Sequence, residues 1–228
     1  MAEFTFRDIA RMFDHSLLQP VLTDPEMEAG CRVAREYGVA SVCIKPYGVR
    51  MAAQLLAGSG IAVGTVIGFP HGGHLMAVKV FESERAMDDG ATELDMVVNI
   101  GKVLNRDWAY VTADIRGVVD AAHKRKALVK VIFENCFLKD EHKEHLCRIC
   151  GEVGADFVKT STGYGDSGAT DDDLRLMRRC APPQVQVKAA GGVRNFDRVL
   201  AVRALGVTRI GATATKAILD ECKARLNA

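Results

Sequence analysis

The chain has 228 residues, 48% of them hydrophobic and 26% charged, which is enough to bury the core of one large domain. Its formal net charge of +1, without a block of like charge, argues against nucleic acid or membrane partners and favours small molecules. The apolar runs are shorter than a membrane span, and charge interrupts the first segment too early for a secretory signal, so we expect a cytoplasmic protein.

The predicted elements repeat one pattern along the chain: a helix-like segment, a glycine, one or two small or apolar residues, and then a β-rich run. A glycine in that position ends a helix in the left-handed conformation before a strand begins. The glycines of this type are Gly38, Gly60, Gly90, Gly154 and Gly206. Further strands are predicted at 13–18, 127–134 and 185–192. The pattern therefore contains eight strand–helix units.

Eight such units without a linker predict an α/β fold, a single (β/α)₈ TIM barrel over residues 1–228 with a short N-terminal helix. Helix starts agree with this, since Thr23 and Glu26 can form a capping box and acidic residues follow Thr170. An open doubly wound sheet is the alternative architecture.

Histidine and cysteine residues cluster in the segment "DEHKEHLCRIC" at 140–150, which could suggest a metal or redox site. Apolar residues recur there at helical spacing, so we expect the four side chains to lie along one amphipathic helix, where they cannot converge on one ion. The seven cysteines as a set fit reduced thiols better than disulfides.

Polar and apolar side chains alternate along the predicted strands. Lys188 shares a face with Gln184 and Gln186, and Asp95 shares one with Glu93. Helices cover the outside of a barrel, so the polar faces should point inward. The side chains expected to converge there are Asp95, Lys130, Glu134, Lys159 and Lys188. For Lys130 and Glu134, a structural ion-pair network and a functional role both stay open.

Lys159 and Lys188 lie near the carboxyl ends of their strands and are followed by glycines, where barrel enzymes carry their chemistry. Two lysines in one low-dielectric cavity should lower each other's pKa, because burial and the like charge both disfavour ammonium. A neutral amine attacks carbonyl carbon, so the pair predicts Schiff-base chemistry, with Asp95 able to move protons.

Glycine-rich turns follow the last three strands, as "STGYG", "AAGGV" and "IGATAT". Barrels commonly bind phosphate at this place through backbone amides. Lysine chemistry beside a phosphate site predicts a phosphorylated aldehyde or ketone as the substrate.

The chain resembles the 2-deoxyribose-5-phosphate aldolase family of class I, Schiff-base-forming aldolases over almost its whole length. The resemblance rests on these segments: "DHSLL" at 14–18, "SVCIKP" at 41–46, "VIGFPHGG" at 66–73, "GATELDMVVNIG" at 90–101, "KVIFE" at 130–134, "DFVKTSTG" at 156–163, "KAAGGVR" at 188–194 and "RIGAT" at 209–213. It implies reversible cleavage of 2-deoxy-D-ribose 5-phosphate to acetaldehyde and D-glyceraldehyde 3-phosphate, by a homodimer that needs no cofactor or metal.

The resemblance also implies residue roles. Lys159 would form the Schiff base, Lys188 would lower its pKa, Asp95 would relay protons, Cys43 would line the pocket and Asp14 would order the site. Phosphate would meet the turns at Gly163, Tyr164, Gly191, Gly192, Gly211, Thr213 and Ala214.

Two of the departures from the family leave alternatives open. Thr213 and Ala214 stand where members commonly carry serines, which leaves open a lysine aldolase for another short phosphorylated sugar. His71 and His74 are unusual there; we expect them on a loop, and a metal-dependent aldolase with both as ligands is the alternative. A non-catalytic sugar-phosphate binding protein is a third alternative.

Overall fold

The structure is a computed structural model that describes residues 4–226. Eight parallel strands pair in sequence order, and the last pairs with the first, so the sheet is a closed barrel. The strands are β1 Phe13–Leu17, β2 Ser41–Ile44, β3 Ala62–Ile67, β4 Glu93–Val97, β5 Leu128–Ile132, β6 Phe157–Lys159, β7 Gln186–Ala190 and β8 Arg209–Ala212. Closure through the Phe13–Ile210 register excludes the open doubly wound sheet. The predicted TIM barrel is confirmed.

Ten α-helices are assigned within residues 4–226. They are α1 Phe6–Ala10, α2 Asp24–Tyr37, α3 Val49–Leu55, α4 Met76–Asp88, α5 Ile100–Leu104, α6 Trp108–His123, α7 Asp140–Val153, α8 Asp171–Cys180, α9 Phe196–Ala204 and α10 Thr215–Leu226. Short 3₁₀ turns occupy Pro46–Gly48 and Asn135–Phe137. None of the helices described within 4–226 is both long and apolar enough to cross a bilayer.

Local sequence explains where the helices begin and end. The five glycines predicted to separate helices from strands all have positive φ, from 64° to 109°. Thr23 and Glu26 form the expected capping box at the start of α2, and the Thr170 hydroxyl caps α8 by accepting from the Asp173 N–H.

The hydrophobic core lies between the sheet and the helices. Leu94, Met96, Val129, Val131 and Val187 alternate with the polar residues of their strands and are fully buried. The opposite faces of β4 to β8 carry charges into the barrel, and parallel pairing sets Asp95 beside Lys130 and Lys159 beside Lys188. Apolar burial outside therefore fixes which charged groups meet inside.

Glu134 does not join the charges inside the barrel, contrary to the expectation from alternation. β5 ends at Ile132, and Glu134 has a left-handed backbone with φ of 57°. Its carboxylate instead accepts from the backbone N–H and the hydroxyl of Thr162. Period-two alternation holds only while the strand continues, so it fails two residues beyond the end.

The histidine and cysteine segment forms helix α7, as predicted, with Cys147 and Cys150 buried on its inner face. His71 and His74 are exposed between β3 and α4, as the loop interpretation predicted. Within residues 4–226, no three His, Cys, Asp or Glu side chains are grouped as a metal site would require.

Candidate active site

Seven charged side chains form one network on the barrel axis, here called the interior cluster; six of them are buried and Arg209 is partly exposed. Its members are Asp14, Glu93, Asp95, Lys130, Lys159, Lys188 and Arg209. They come from six different strands, so only the closed barrel brings them together. The cluster holds four basic groups and three carboxylates.

Asp95 is the centre of this cluster and has no solvent exposure. Its Oδ2 lies 2.7 Å from the Nζ of Lys159 and 2.7 Å from the Nζ of Lys188. Its Oδ1 accepts from the Nζ of Lys130 at 2.8 Å. Burial alone would raise the pKa of Asp95, but the three lysines hold that pKa well below its usual value. Asp95 is therefore a carboxylate.

Lys188 differs from the expectation that the two lysines lower each other's pKa. Its Nζ lies 2.5 Å from Asp14 Oδ2 in addition to its contact with Asp95. Burial opposes its charge, yet the two carboxylates raise the pKa of Lys188 above the ordinary value. Lys188 is thus a charged ammonium, because Asp14 supplies a second anion that the sequence alone did not pair with it.

Lys159 behaves as predicted in direction. Its side chain is 3% exposed, and burial lowers its pKa, with Lys188 acting in the same direction and Asp95 against it. The charge balance of the cluster also favours a neutral Lys159. Four cations and three anions would leave a buried net charge of 4 − 3 = +1, whereas a neutral Lys159 makes the cluster neutral. An uncompensated buried charge is strongly unfavourable, and Lys159 is the lysine of the cluster whose pKa is lowered, so it is the member that loses its proton most readily.

The lower layer of the cluster holds the other charges in place. The Arg209 guanidinium contacts Asp14 and donates to both Glu93 oxygens, at 3.1 and 2.9 Å. Lys130 bridges Glu93 at 2.7 Å to Asp95. Sequence reasoning did not assign Arg209 a role, although it occupies the inward face of β8 two residues before Gly211. The inward alternation of β8 was the signal that could have identified it.

A cavity of about 350 Å³ opens above the cluster at the carboxyl ends of the strands. Nine of the twelve residues expected at the site line it: Cys43, Lys159, Gly163, Tyr164, Lys188, Gly191, Gly192, Gly211 and Thr213. Asp14 and Asp95 lie beneath it and reach it through the lysines. Ala214 does not line it. The cavity thus meets the cluster at its two upper lysines.

Several lining residues were not predicted, among them Ser16, Leu18, Thr162 and Arg194. Arg194 is exposed beside the turn of Gly191 and Gly192. A cation directly after "AAGGV" was the available signal, because anion sites combine backbone amides with a basic side chain.

The turns that follow β6 and β7 pack backbone against backbone. Gly163, Gly191 and Gly192 have positive φ values of 92°, 78° and 86°. The Ala169 N–H donates to the Ala190 carbonyl at 3.1 Å, and a Cβ on Gly168 would lie 2.4 Å from the carbonyl carbon of Gly191. Only glycine permits this approach to Gly191, which lines the cavity.

His15, on β1, supports the turn that follows β8. Its Nδ1 lies 2.8 Å from the hydroxyl of Thr215, which donates to the Ala212 carbonyl. Burial lowers the pKa of His15 to about 4, so the ring is neutral at ordinary pH. The contact ties β1 to the turn after β8 without adding charge.

A family model described as DeoC/LacD family aldolase matches residues 9–220. The chain belongs to this aldolase family. It is 52% identical over 226 residues to deoxyribose-phosphate aldolase of Rhodopirellula baltica, which covers 99% of this chain and 94% of that protein. It is 46% identical over 216 residues to the deoxyribose-phosphate aldolase of Thermococcus kodakarensis, covering 94% of this chain and 96% of that protein.

Solved structures of aldolases superpose on the barrel. A putative deoxyribose-phosphate aldolase from Coccidioides immitis matches with a TM-score of 0.92 and 35% identity, covering 98% of this chain and 88% of that one. The deoxyribose phosphate aldolase from Aeropyrum pernix, described as a unique tetramer, matches with a TM-score of 0.90 and 30% identity, covering 97% and 93%. The predicted family membership is confirmed.

Proposed function

We propose that this aldolase reversibly cleaves 2-deoxy-D-ribose 5-phosphate to acetaldehyde and D-glyceraldehyde 3-phosphate, through a Schiff base on Lys159. The observation that carries the proposal is the buried Lys159, with its lowered pKa, at the base of the cavity beside the charged Lys188. The deoxyribose-phosphate aldolases named above, which are about 50% identical to this chain over nearly its whole length, support the choice of substrate.

The neutral Nζ of Lys159 attacks the C1 aldehyde of the open-chain sugar, and loss of water gives an iminium. Removal of the proton from the C3 hydroxyl then breaks the C2–C3 bond, and its electron pair moves into the iminium to form an enamine. D-Glyceraldehyde 3-phosphate leaves. A proton added at C2 and hydrolysis of the imine release acetaldehyde and restore the amine.

Lys188 and Asp95 handle the protons of these steps, Lys188 as a donor and Asp95 as an acceptor. Lys188 reaches the cavity as an ammonium, so it can protonate the departing hydroxyl of the carbinolamine. Asp95 lies beneath both lysines, 2.7 Å from each Nζ, and its contacts with both let it redistribute charge as protons move. Asp14 keeps Lys188 charged, which makes Asp14 a positioning residue rather than a substrate contact.

The phosphate binds at the other side of the cavity, where the turns after β6, β7 and β8 meet. Gly163, Gly191 and Gly192 line that side, and Arg194 adds a guanidinium. Thr213 offers a hydroxyl there, while Ala214 stands outside the cavity. Backbone amides and a guanidinium together make a strong anion site.

Borohydride reduction tests the proposal directly. Incubation with 2-deoxyribose 5-phosphate and borohydride should add the mass of the reduced sugar or of its two-carbon fragment to the peptide containing Lys159. Lys159→Met should show no adduct and no turnover, whereas Lys124→Met, at an exposed position, should behave like the wild type. Turnover by a folded Lys159→Met variant would disprove the role of Lys159.

A lysine aldolase for another short phosphorylated sugar is the second candidate, motivated by the altered last turn, of which Thr213 lines the cavity. A panel of sugar phosphates measured by kcat/KM separates the two, because the preferred substrate has the highest value. Turnover of any of them dismisses a binding protein without activity. Activity that survives chelators would dismiss the metal-dependent mechanism through His71 and His74.

We further propose that residues 1–228 fold as one domain, that the enzyme works in the cytoplasm, and that it is a homodimer. The seven free cysteines support a reducing compartment. Light scattering with size exclusion measures the assembly, and the tetrameric relative from Aeropyrum pernix makes a tetramer the outcome that would correct the dimer.

A further inference from the structure

The loop between β6 and α8 is anchored at both ends. At its start, the Thr162 backbone N–H and hydroxyl donate to the Glu134 carboxylate. At its end, Ala169 donates to the turn after β7, against which Gly168 is packed. The Thr162 hydroxyl also accepts from the Tyr164 N–H at 3.0 Å. Glu134, for which the sequence left a structural and a functional role open, thereby holds the part of the loop that carries Tyr164.

Tyr164 reaches from this loop across the mouth of the barrel. Its hydroxyl donates to the Leu18 carbonyl at 2.8 Å, and its ring packs edge-on against Phe69 with centroids 5.5 Å apart. Leu18 follows β1 and Phe69 follows β3. Two strands separate β6 from each of them around the closed barrel, so both contacts span the opening.

The side of the cavity that Tyr164 reaches is apolar. Leu18, Cys43 and Val66 form a small buried cluster there, with Phe69 packed against it. Cys43 and Lys159 line the same cavity. The glycine turns lie on β6 to β8 instead. The cavity therefore has an anion-binding side and an apolar side, with Lys159 between them.

The aldol mechanism assigns a fragment to the apolar side. After cleavage, the carbons that remain bonded to Lys159 are those of the donor aldehyde, while the phosphorylated fragment departs. In the reverse direction the enamine carbon attacks the aldehyde carbon of the acceptor. An added methyl in propanal lies on the carbon that forms the new bond, and in acetone on the carbon bonded to Nζ.

We propose that Tyr164 is a specificity-determining residue, and that its side chain closes the apolar side over the donor so that only a two-carbon aldehyde fits. This inference rests on the proposed function. The ring takes the space next to Leu18 and Phe69 that a longer donor would need, and the hydroxyl bond to Leu18 holds the ring there.

The test measures the addition of acetaldehyde, propanal and acetone to D-glyceraldehyde 3-phosphate by Tyr164→Ala, Tyr164→Leu and Tyr164→Phe. Tyr164→Ala should raise the ratio of kcat/KM for propanal over acetaldehyde by about tenfold, the usual discrimination for one methylene in an apolar pocket. Tyr164→Leu should raise it less, and Tyr164→Phe, which keeps the ring, should change it by less than about threefold. The KM for D-glyceraldehyde 3-phosphate should stay the same.

Tyr47→Ala is the matched control, because Tyr47 is 66% exposed and lies outside the cavity. If the ratio of kcat/KM for propanal over acetaldehyde stays at the wild-type value in both Tyr164→Ala and Tyr164→Leu, the inference is wrong, whether or not activity falls. The proposed function would not be affected by that result. A raised KM for the phosphorylated acceptor without a changed ratio would assign Tyr164 to the phosphate instead. Absence of turnover by the wild type with every donor would overturn the proposed function, and the inference with it.

Discussion

Replacing the lysines of the interior cluster one at a time should show which of them is neutral and which are charged in the folded protein. We compare Lys159→Met with Lys130→Met, since methionine is close to lysine in length. Lys130 contacts Glu93 at 2.7 Å and Asp95 at 2.8 Å, and these carboxylates raise its pKa well above the ordinary value despite burial. Breaking a buried ion pair by removing one partner destabilises a protein by about 3–5 kcal/mol.

Lys159→Met should behave differently. The proposed mechanism requires a neutral Lys159, so the substitution should remove no charge. It leaves three cations against three carboxylates, and it leaves Lys188 on the same Asp95 oxygen. We expect a change in the free energy of unfolding within about 1 kcal/mol, the size of one hydrogen bond. Activity should nevertheless be lost. The two substitutions therefore separate stability from catalysis within one cluster.

Thermal unfolding followed by circular dichroism measures the difference. In a chain of this size each kcal/mol shifts Tm by about 2–4 °C, so Lys130→Met should lower Tm by roughly 10 °C and Lys159→Met by no more than about 4 °C. Lys124→Met is the surface control and should lie within about 0.5 kcal/mol of wild type. Equal losses from Lys159→Met and Lys130→Met would mean that Lys159 is a charged, paired ammonium and not a neutral amine.

The pH dependence of this comparison has a definite sign. The pKa of Lys159 is lower in the folded than in the unfolded chain, so the folded state releases its proton first. Stability from this group rises with pH between the lowered pKa and the unfolded value of about 10.4. Lys159→Met lacks that rise, so its stability relative to wild type should be greatest on the acid side of the window.

Three further outcomes are expected. The kcat/KM of the wild type should rise with pH as Lys159 loses its proton. In the residual activity of Lys188→Met, this rising limb of the pH–rate profile should move to higher pH by about one unit or more, because a neighbouring positive charge is removed. A limb at the same pH in both proteins would refute the coupling between the two lysines. Gly168→Ala should raise KM on the order of tenfold in steady-state assays, since its Cβ would displace Gly191, and an unchanged KM would show that the turn tolerates the shift. Arg194→Gln should raise KM for the phosphorylated sugar by about tenfold while leaving turnover of unphosphorylated 2-deoxyribose unchanged; equal losses on both sugars would exclude a phosphate contact.

Much of the architecture followed from two local rules. Glycines with left-handed backbones marked the helix ends, and period-two alternation placed Asp95, Lys130, Lys159 and Lys188 on inward faces. The same rule failed at Glu134, because the strand had already ended. It also could not give the protonation of Lys188, which depends on Asp14, 174 residues away in the chain. Alternation gives the direction of a side chain but not its partners, and the pKa depends on the partners.

Tyr164 shows the same limit from another side. The family resemblance of its turn implies that Tyr164 meets phosphate through its backbone. The side chain of Tyr164 instead contacts Leu18 and Phe69, which only the closed barrel brings near it. Residues that act across the mouth of a barrel come from strands far apart in the chain. Their roles cannot be predicted from the local pattern of either strand.

The odd number of charges on the barrel axis has a consequence for redesign. A reactive lysine in this barrel depends on an excess of one base over the acids around it, wherever that base stands. Moving the reactive amine to a neighbouring strand would require the same excess of one basic group over the carboxylates. Adding a carboxylate near Lys159 would restore the proton of Lys159 and abolish its reactivity. Replacing Glu93 by glutamine would raise the excess to two and should lower the pKa of a second base. Reactivity in this enzyme can thus be redistributed by substitutions that never touch the substrate.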